Sequence, residues 1–411
     1  MNVWLVNPFD PLPGEQARVG RYAFFAKMLG EAGHTVTWWI SAFHHVTKSY
    51  RDTRKWGGRL SDGLQVAMLW APAYYQNISV RRLINHFFWA TVFYRQARLA
   101  NVAPDLVITS SPPLYATNRA LHVARQRNAK VIIDVQDLWP EAFAVAFPPA
   151  ARQLGISLLR PLKALEDANF RQADGLIAIS QTLLGRAFAM TPQDKVGRVI
   201  PLGVDVEVYE RAARVGGGKW QKQGDEFWVA YIGTVGKTYD IDTVLRAARL
   251  LMRDEPRIKF FIAGTGSLLQ VSCEKAQDWG LSNVVFTGFL PFDALAELLV
   301  QVDVGLVAVA PGAVSAFPNK VFDYLAAGLP MIHSVKGELE AFIQRHGVGV
   351  SYEAGQAESL RQSILKLYKA PELCAGMGAR GHRLAREQFD RRVAYGALLE
   401  LINELEEVAA R

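Results

Sequence analysis

Short apolar runs alternate with longer helix-like segments along almost the whole chain. In the first half the runs are VWLV at 3–6, TVTWWI at 35–40, LVIT at 106–109, VIIDV at 131–135 and GLIAI at 175–179. In the second half they are FWVAYIG at 227–233, IKFFIAG at 258–264, VVFTGF at 284–289, VGLVAV at 304–309 and PMIHS at 330–334. Continuous apolar strands between helices are typical of parallel sheets that are covered on both faces. The pattern therefore predicts an α/β protein with two doubly wound parallel sheets.

The alternation is interrupted once, by a polar and glycine-rich stretch, which divides the chain into domains. We predict a first domain over residues 1–206, a linker at 207–224, a second domain over 225–386 and a C-terminal helical segment at 387–411. From its pattern alone, this last segment could pack on either domain. Ligands of doubly wound folds bind at the carboxyl ends of the strands, so we expect the functional site in a cleft between the two domains.

Charge is distributed unevenly between the two halves. Residues 1–200 contain 23 Lys and Arg against 13 Asp and Glu, whereas residues 201–411 contain 23 against 26. This asymmetry favours an anionic partner for the first half, either nucleic acid or an anionic membrane. The two cysteines, Cys273 and Cys374, have no metal-ligand spacing, so we expect a reducing compartment and no structural zinc. Neither a signal peptide nor an apolar run of about 18 residues is present, which predicts a soluble or peripheral cytoplasmic protein.

Two segments resemble nucleotide-binding motifs, but each lacks a residue that its motif requires. In FIAGTGSLL, Leu269 stands where a dinucleotide fingerprint requires its third glycine. In GGGKW, Trp220 replaces the Ser or Thr of a P-loop. The sequence therefore supports neither a Rossmann oxidoreductase nor a P-loop ATPase.

Three segments carry candidate binding chemistry. After the first strand, a Pro/Gly loop leads into a helix, and Gly14 would let a phosphate approach the backbone closely. The segment VIIDVQDLWPEAF places Asp137 and Glu141 just past a strand end, where carboxylates can orient or deprotonate a hydroxyl. Helix capping by Asp137 is the structural alternative. Residues 73–100 mix aromatic residues with arginines, which is typical either of an interfacial helix or of a domain helix with one apolar face.

The segment SAFPNKVFDYLAAGLPMI, residues 315–332, is the most specific. Ser315 and Asn319 lie at a predicted helix start, and Gly328 with Pro330 ends the helix. Lys320 near free helix amides suits a diphosphate, and the Asp323 carboxylate suits ribose hydroxyls. A structural Lys–Asp pair is the alternative.

These motifs resemble those of a known family in the family's own order. PNKVFDYLAAGLPMI is similar to the donor-site helix of family 4 glycosyltransferases, and VIIDVQDLWPEAF resembles the D-x-x-D-L-W-P-E signature of their bacterial surface-polysaccharide and O-antigen branch. VIPLGVD at 199–205 and YIGTVGKTYDIDTVLRAA at 231–248 resemble the entry to the linker and the opening of the second domain. The matches span nearly the whole chain.

The resemblance implies the GT-B fold, in which two Rossmann-like domains face a cleft and the C-terminal helix crosses back to the first. It implies sugar transfer with retention at the anomeric carbon, without a metal or other cofactor. The implied donor-binding residues are Gly14, Gly233, Gly236, Asn319, Asp323 and Ser315. The implied catalytic residues are Asp137, Lys237 and Lys320, and the acceptor side would use Glu141, Arg81 and Arg82.

This chain departs from the family pattern at two positions. Ser315 stands where the family often has a first glutamate, and Thr234 occupies an expected arginine position. We expect a nucleotide diphosphate-sugar donor, most simply UDP-linked, and a saccharide acceptor, most simply lipid-linked at an anionic inner membrane surface. Two alternatives are a GT-B nucleotide-sugar epimerase and a nucleic-acid-binding protein. The chain contains no recognised nucleic-acid module, so we expect no nucleic-acid partner.

Overall fold

A computed structural model describes residues 1–410 except 16–17, 53, 55–57, 62, 77–78, 138, 141–151, 192–194, 217 and 314–316. The chain forms two compact units. The first contains Met1–Pro201 together with Tyr395–Arg411, and the second contains Leu202–Ala394. Each unit is described separately below.

The first unit is built on an eight-stranded sheet with the order β10-β9-β8-β7-β1-β2-β6-β5. All neighbouring strands are parallel except β5 and β6. A short antiparallel pair, β3 and β4, lies apart from it. The strands are β1 (Asn2–Val6), β2 (Thr35–Ser41), β3 (Phe43–His44), β4 (Ser49–Tyr50), β5 (Gly58–Ser61), β6 (Leu64–Leu69), β7 (Leu106–Ser111), β8 (Lys130–Val135), β9 (Gly175–Ala178) and β10 (Val196–Val199).

Among the described residues, six helices precede the second unit in the chain and belong to the first. They are α1 (Arg21–Glu31), α2 (Val80–Leu99), α3 (Leu114–Gln126), α4 (Arg152–Leu158), α5 (Arg160–Gln172) and α6 (Gln181–Phe188). The 20-residue α2 begins at Ser79, whose hydroxyl accepts a hydrogen bond from the backbone N–H of Arg82. Within the described part of the chain, no helix is both long and apolar enough to cross a bilayer.

The second unit is built on a six-stranded, wholly parallel sheet with the order β13-β12-β11-β14-β15-β16. Its strands are β11 (Phe227–Ile232), β12 (Ile258–Ala263), β13 (Val284–Gly288), β14 (Val304–Val307), β15 (Met331–His333) and β16 (Gly349–Ser351). Its helices are α7 (Val206–Arg214), α8 (Ile241–Asp254), α9 (Leu269–Asp278), α10 (Phe292–Leu299), α11 (Lys320–Ala326), α12 (Glu338–His346), α13 (Ala357–Tyr368), α14 (Pro371–Leu384) and α15 (Arg391–Ala394). A π-helical turn, Ala385–Phe389, follows α14.

Both sheets reverse their strand order at a single point. The first runs outward from β1 through β2 to β6 and resumes with β7 on the other side of β1. The second runs from β11 through β12 to β13 and resumes with β14 on the other side of β11. Ligands of doubly wound folds bind at this switch point, outside the carboxyl ends of the strands. The segments that follow β1 and β11 are therefore the places to look for sites.

The prediction of an α/β fold with two doubly wound sheets is confirmed, and all ten predicted runs form strands. Their continuous apolar character follows from burial on both faces, as in β11, where all six residues are buried. The pattern missed β3, β4, β5, β6, β10 and β16. Each of these strands is partly exposed or no more than four residues long, so it lacks a continuous apolar run.

The unit boundaries differ from the predicted ones. The division falls between Pro201 and Leu202, and the predicted linker at 207–224 lies wholly inside the second unit. Most of its first half is α7, an amphipathic helix whose buried Tyr209 belongs to the core of that unit. At the other end, the chain enters the first unit at Tyr395 rather than at residue 387, and α16 (Gly396–Ala410) packs there against β10 and β9.

Candidate functional site

The switch point of the second unit is formed by a glycine loop, residues 233–237, directly after β11. Gly233 has a φ of +113°, and its N–H donates to the Ala263 carbonyl at 2.9 Å. A Cβ on Gly264 would lie only 1.8 Å from the Gly233 carbonyl oxygen, so the loops after β11 and β12 touch backbone to backbone. This contact keeps Gly233 and Thr234 exposed at the carboxyl edge of the sheet, where a ligand could approach their backbone.

Lys320 lies beside this loop in an unusual environment. Its side chain is only 5% exposed, and among the described residues the ammonium has no hydrogen-bond partner. The Nζ atom lies 3.8 Å from the ring centroid of Tyr231 and 4.0 Å from that of Tyr239. A Cβ added to Gly233 would lie 3.5 Å from the same nitrogen. The sequence-predicted pair of Gly233 and Lys320 is thus brought together, with two tyrosine rings that the sequence analysis did not single out.

Burial determines the electrostatics of this lysine. Removal from water lowers the pKa of Lys320 well below its usual value, and the nearby Asp323 carboxylate offsets this only in part. An ammonium held against aromatic faces gains some cation–π stabilisation but still lacks hydrogen bonds for its three donors. An anion at the glycine loop would supply both the charge and the acceptors.

Asp323 is held from a different direction. It is 2% exposed, and its Oδ1 accepts a hydrogen bond of 2.9 Å from the Tyr209 hydroxyl on α7. The segment that the sequence analysis assigned to a linker therefore supplies a hydrogen-bond partner of Asp323. In this structure Asp323 faces the protein interior, so its predicted contact with ribose stays a prediction.

The remaining predicted residues of the second unit have different surroundings. Gly236 is buried in the glycine loop, while Lys237 is exposed one residue later. Asn319 is exposed and immediately precedes α11, as predicted for a helix start, although its side chain makes no capping hydrogen bond. Ser315 lies outside the described residues.

In the first unit, Gly14 lies in the loop after β1, as predicted, with a φ of +84°. The loop is fixed by Glu15, which accepts from the Leu12 N–H at 2.7 Å and from Arg51 at 2.7 Å. Gly14 itself is exposed. Its conformation suits close approach of a ligand, but it belongs to the first unit, whereas Gly233 and Lys320 belong to the second.

The carboxylates after β8 have separate roles. Asp134 is fully buried and accepts two hydrogen bonds from Arg21, at 2.9 and 3.0 Å. This ion pair anchors α1 to the sheet and makes Asp134 a structural residue. Asp137 is exposed and interacts electrostatically with Arg82. Glu141 lies outside the described residues.

The two predicted acceptor-side arginines differ in their surroundings. Arg81 is exposed on α2 and joins no described cluster. Arg82 is partly buried, its guanidinium lies 5.4 Å from the ring centroids of Phe9 and Trp139, and its Nε donates to His86 Nε2 at 3.3 Å. Helical periodicity alone does not show which loops pack on a helix, so the surroundings of these two neighbours could not be told apart from the sequence.

Arg82 belongs to a group that the sequence analysis missed, here called the basic cluster and defined by His45, Lys48, Tyr74, Arg82 and His86. The Tyr74 hydroxyl contacts His45 Nδ1 and is hydrogen-bonded to Arg82. Lys48 Nζ lies 3.5 Å from His45 Nδ1 and 4.5 Å from the Tyr74 ring centroid. A possible signal was the run HHVTK at 44–48, which combines two imidazoles and a lysine just past a strand end.

No metal centre is evident among the residues that the structure describes. In the ranges that the structure describes, no group of three or more His, Cys, Asp or Glu side chains is arranged to hold a metal ion. That sugar transfer needs no metal stays a prediction, because only a measurement of activity without metal can test it.

Comparison with known proteins connects this geometry to a reaction class. A family model described as "Glycosyl transferases group 1" matches residues 218–384, which lie within the second unit and include the glycine loop and Lys320. WcaI of Escherichia coli (strain K12), named as a colanic acid biosynthesis glycosyl transferase, is 24% identical over 311 residues, which cover 74% of each chain.

Solved structures match the fold over the full length. Sucrose-phosphate synthase from Thermosynechococcus elongatus aligns with a TM-score of 0.72 at 17% identity and covers 99% of both chains. HepE of Anabaena, determined in complex with UDP, aligns with a TM-score of 0.67 at 13% identity and covers 98% of this chain and 100% of HepE. Residues 218–384 therefore match the group 1 glycosyl transferase model, and the chain is a glycosyltransferase with the GT-B fold.

Proposed function

We propose that the protein transfers a sugar from a nucleotide diphosphate-sugar, with UDP as the nucleotide, to a lipid-linked saccharide in the synthesis of a surface polysaccharide. The observation that carries the donor assignment is the buried Lys320 ammonium, which lacks a hydrogen-bond partner among the described residues and lies beside Gly233. A diphosphate is the anion whose size and charge fit a cation next to exposed backbone at a switch point. The UDP and UDP-glucose complexes of HepE support the choice of base.

Roles for individual residues follow from this placement. Lys320 would neutralise charge that develops on the leaving diphosphate, and exposed Lys237 would assist it from the glycine loop. Gly236 would hold the loop conformation. Asp323 would exchange its hydrogen bond from Tyr209 for one from the ribose and so orient that sugar. Asp137 would lie near the reacting carbon and acceptor. Transfer with retention, without a metal, is the stereochemical course implied by the family resemblance.

The relatives support a polysaccharide pathway. WcaI is named for colanic acid biosynthesis and AmsK of Erwinia amylovora for amylovoran biosynthesis. The epimerase alternative finds no support among them. A transferase requires an acceptor, so consumption of UDP-sugar, after subtraction of simple hydrolysis, should depend on added saccharide. A proton NMR spectrum of the product would report whether the anomeric configuration is retained or inverted.

Peripheral membrane binding is the second part of the proposal. Val80, Ile84, Phe87 and Phe88 form an apolar face on α2 and are 43–72% exposed. Their spacing of four, three and one residues places them on one side of the helix. Exposed Arg95 and Arg98 continue the same side toward the helix C-terminus. An apolar stripe that continues into arginines suits the headgroup region of an anionic bilayer.

The donor assignment is tested by calorimetric titration of UDP, GDP and ADP into the full-length protein. We expect UDP to bind most tightly and Lys320→Met to weaken it by about a hundredfold, because a desolvated charge-assisted contact contributes about 2–3 kcal/mol. Asp323→Ala should also weaken binding. The matched control is Lys336→Met, which removes an exposed lysine of the same unit. If none of the three nucleotides binds, or Lys320→Met binds like the control, the donor assignment is wrong.

A further inference from the structure

The segment that follows β8, from Gln136 to Trp139, presents an exposed side chain between two fixed ends. The Gln136 N–H donates to the Ser111 carbonyl of β7 at 2.9 Å, and the Trp139 N–H donates to the Asp137 carbonyl at 3.1 Å. Asp137 itself is exposed, whereas Trp139 is only 3% exposed. The groups that hold Trp139 therefore determine where the Asp137 carboxylate lies.

The Trp139 ring is held by apolar and aromatic contacts. It packs with Leu114 at the start of α3, and its centroid lies 5.4 Å from the ring centroid of His86 and 5.4 Å from the Arg82 guanidinium. Partly buried leucines of α2, of α5 and of the residue before α5 pack against the same pair: Leu83, Leu162, Leu165 and Leu159. Apolar burial has no preferred direction, so these contacts retain the ring without fixing the backbone of the segment.

The backbone of Trp139 is held by a charged side chain from another helix. Arg186 lies on α6, and its Nη2 donates to the Trp139 carbonyl oxygen at 2.6 Å. The same nitrogen donates to Oε2 of Glu166 on α5, and the Lys163 ammonium lies 3.4 Å from that oxygen. The Glu166 side chain is 1% exposed and that of Arg186 is 18% exposed. A charge-assisted hydrogen bond thus joins the segment to a buried carboxylate.

The ion pair of Arg186 and Glu166 is not explained by stability. Taking a carboxylate out of water costs folding free energy, and a buried ion pair can often be replaced by apolar residues of similar volume without loss of stability. What an apolar pair cannot reproduce is direction. A guanidinium is planar and presents its N–H groups at fixed angles, so it fixes the relative position of the two oxygens that it binds. Here those oxygens belong to Glu166 and to the Trp139 backbone.

We propose that Arg186 and Glu166 are positioning residues for sugar transfer, which act through the Trp139 carbonyl to hold the segment that presents Asp137. This inference rests on the proposed function, since it takes Asp137 to lie near the reacting carbon and acceptor. A displacement of about 1 Å at a reacting group can cost about a hundredfold in rate. Lys320 and the glycine loop belong to the second unit, so UDP affinity should not depend on the pair.

The test replaces both charges together, in the full-length double variant Arg186→Met and Glu166→Met. We expect a melting temperature within a few degrees of the wild type, because no buried charge loses its counter-ion alone. Amide hydrogen exchange of Trp139, followed by mass spectrometry, should be faster by about tenfold or more. The kcat should fall by about ten- to a hundredfold, with the Kd for UDP unchanged. The control is Lys27→Met with Glu31→Met, which removes an exposed ion pair of α1.

The kcat is measured as UDP release from UDP-glucose, UDP-galactose and UDP-N-acetylglucosamine, with octyl glucoside as the acceptor. Arg186→Lys keeps the charge but not the planar geometry, so its kcat should lie between those of the wild type and the double variant. This single variant also keeps the test valid if the double variant fails to fold. A merely structural pair would lower the melting temperature of Arg186→Lys without changing its kcat.

Two results would overturn the positioning role. One is Trp139 exchange in the double variant that equals the control, and the other is an unchanged kcat despite faster exchange. Failure of the proposed function looks different. If the wild type consumes none of the three UDP-sugars, the proposed donor is wrong, while the exchange measurement still tests the pair. If Asp137→Asn keeps the full kcat, the role assigned to Asp137 is wrong, and the pair positions the segment for no catalytic purpose.

Discussion

The two units hold cationic side chains by opposite means. In the second unit a single ammonium, Lys320, is buried against Tyr231 and Tyr239 without a hydrogen-bond partner among the described residues. In the first unit, Arg82 and Lys48 are tied into hydrogen bonds with their neighbours. Burial of the Lys320 ammonium without a partner lowers the free energy of unfolding. Because a bound anion would supply that partner, the ammonium contributes mainly to anion binding. The polar groups of the basic cluster already have hydrogen-bond partners, so these contacts mainly fix the orientation of the side chains.

The largest expected effect comes from disturbing the backbone contact that shapes the glycine loop. Gly264→Ala would place a Cβ 1.8 Å from the Gly233 carbonyl oxygen at a φ of +152°. We expect a loss of about 3–4 kcal/mol in the free energy of unfolding, measured by urea denaturation, because backbone atoms cannot yield as a side chain can. Gly280→Ala is the control, since its φ is +63° but no atom lies within 4 Å of the added Cβ. Equal losses in both variants would show that the loop contact is unimportant.

The second prediction concerns the sign of the stability change at Lys320. Its pKa is lowered in the folded protein, so below the unfolded-state pKa near 10.5 the unfolded chain binds more protons and the lysine costs stability at pH 7. Lys320→Met should therefore leave the free energy of unfolding unchanged or raise it by about 1 kcal/mol while nucleotide binding falls. Thermal unfolding at pH 7 measures this. A clear loss of stability, with Lys336→Met unchanged, would mean that the ammonium is a structural group.

These two predictions show what the sequence could and could not reveal. The segment PNKVFD identified Lys320 and Asp323 locally, because the two side chains lie within one helical turn. Tyr209 and Tyr231, which hold them, come from α7 and β11 and are more than 80 residues away in the chain. Their roles depend on how α11 packs on the sheet, which no local pattern encodes. The fold itself was predictable because buried parallel strands leave continuous apolar runs.

The basic cluster was harder to predict for the same reason. His45, Tyr74 and Arg82 have no common motif and meet only because the segments after β2 and β6 reach the start of α2. The interruption at 207–224 was misleading in a different way. Its helix α7 is polar on one side and buries Tyr209 on the other, so its average composition resembled that of a linker.

A third prediction tests the membrane side of the first unit, which the second unit is not expected to share. The double variant Phe87→Gln and Phe88→Gln should reduce partitioning onto liposomes rich in anionic lipid by about tenfold, because half-exposed rings lose apolar area that the bilayer would bury. Phe289→Gln removes a ring of the second unit that is even more exposed, at 74%, and is the control. Co-sedimentation at low and high salt measures partitioning. Binding that is absent for the wild type at low salt contradicts the proposal.

The smallest expected effect is the acid sensitivity that the basic cluster gives to the first unit. Burial lowers the pKa of His86 well below its usual value, with Arg82 adding to the shift. A base with a lowered folded-state pKa takes up its proton only on unfolding, so stability falls as pH decreases through about 6.5. His86→Gln should reduce the loss of melting temperature between pH 7 and pH 5 by a few degrees. His122→Gln, at an exposed position on α3, should not.

The return of the chain end to the first unit has a consequence for biosynthesis. Leu398, Leu401 and Ile402 of α16 are buried there, and Arg198 at β10 donates to Glu404 at 2.7 Å. A ribosome that has made residues 1–201 has therefore exposed an incomplete body whose missing helix will emerge only after the entire second unit. Domains that are made first usually fold first. Here residues 1–201 stay partly uncovered until Tyr395–Arg411, which complete the first unit, have been translated.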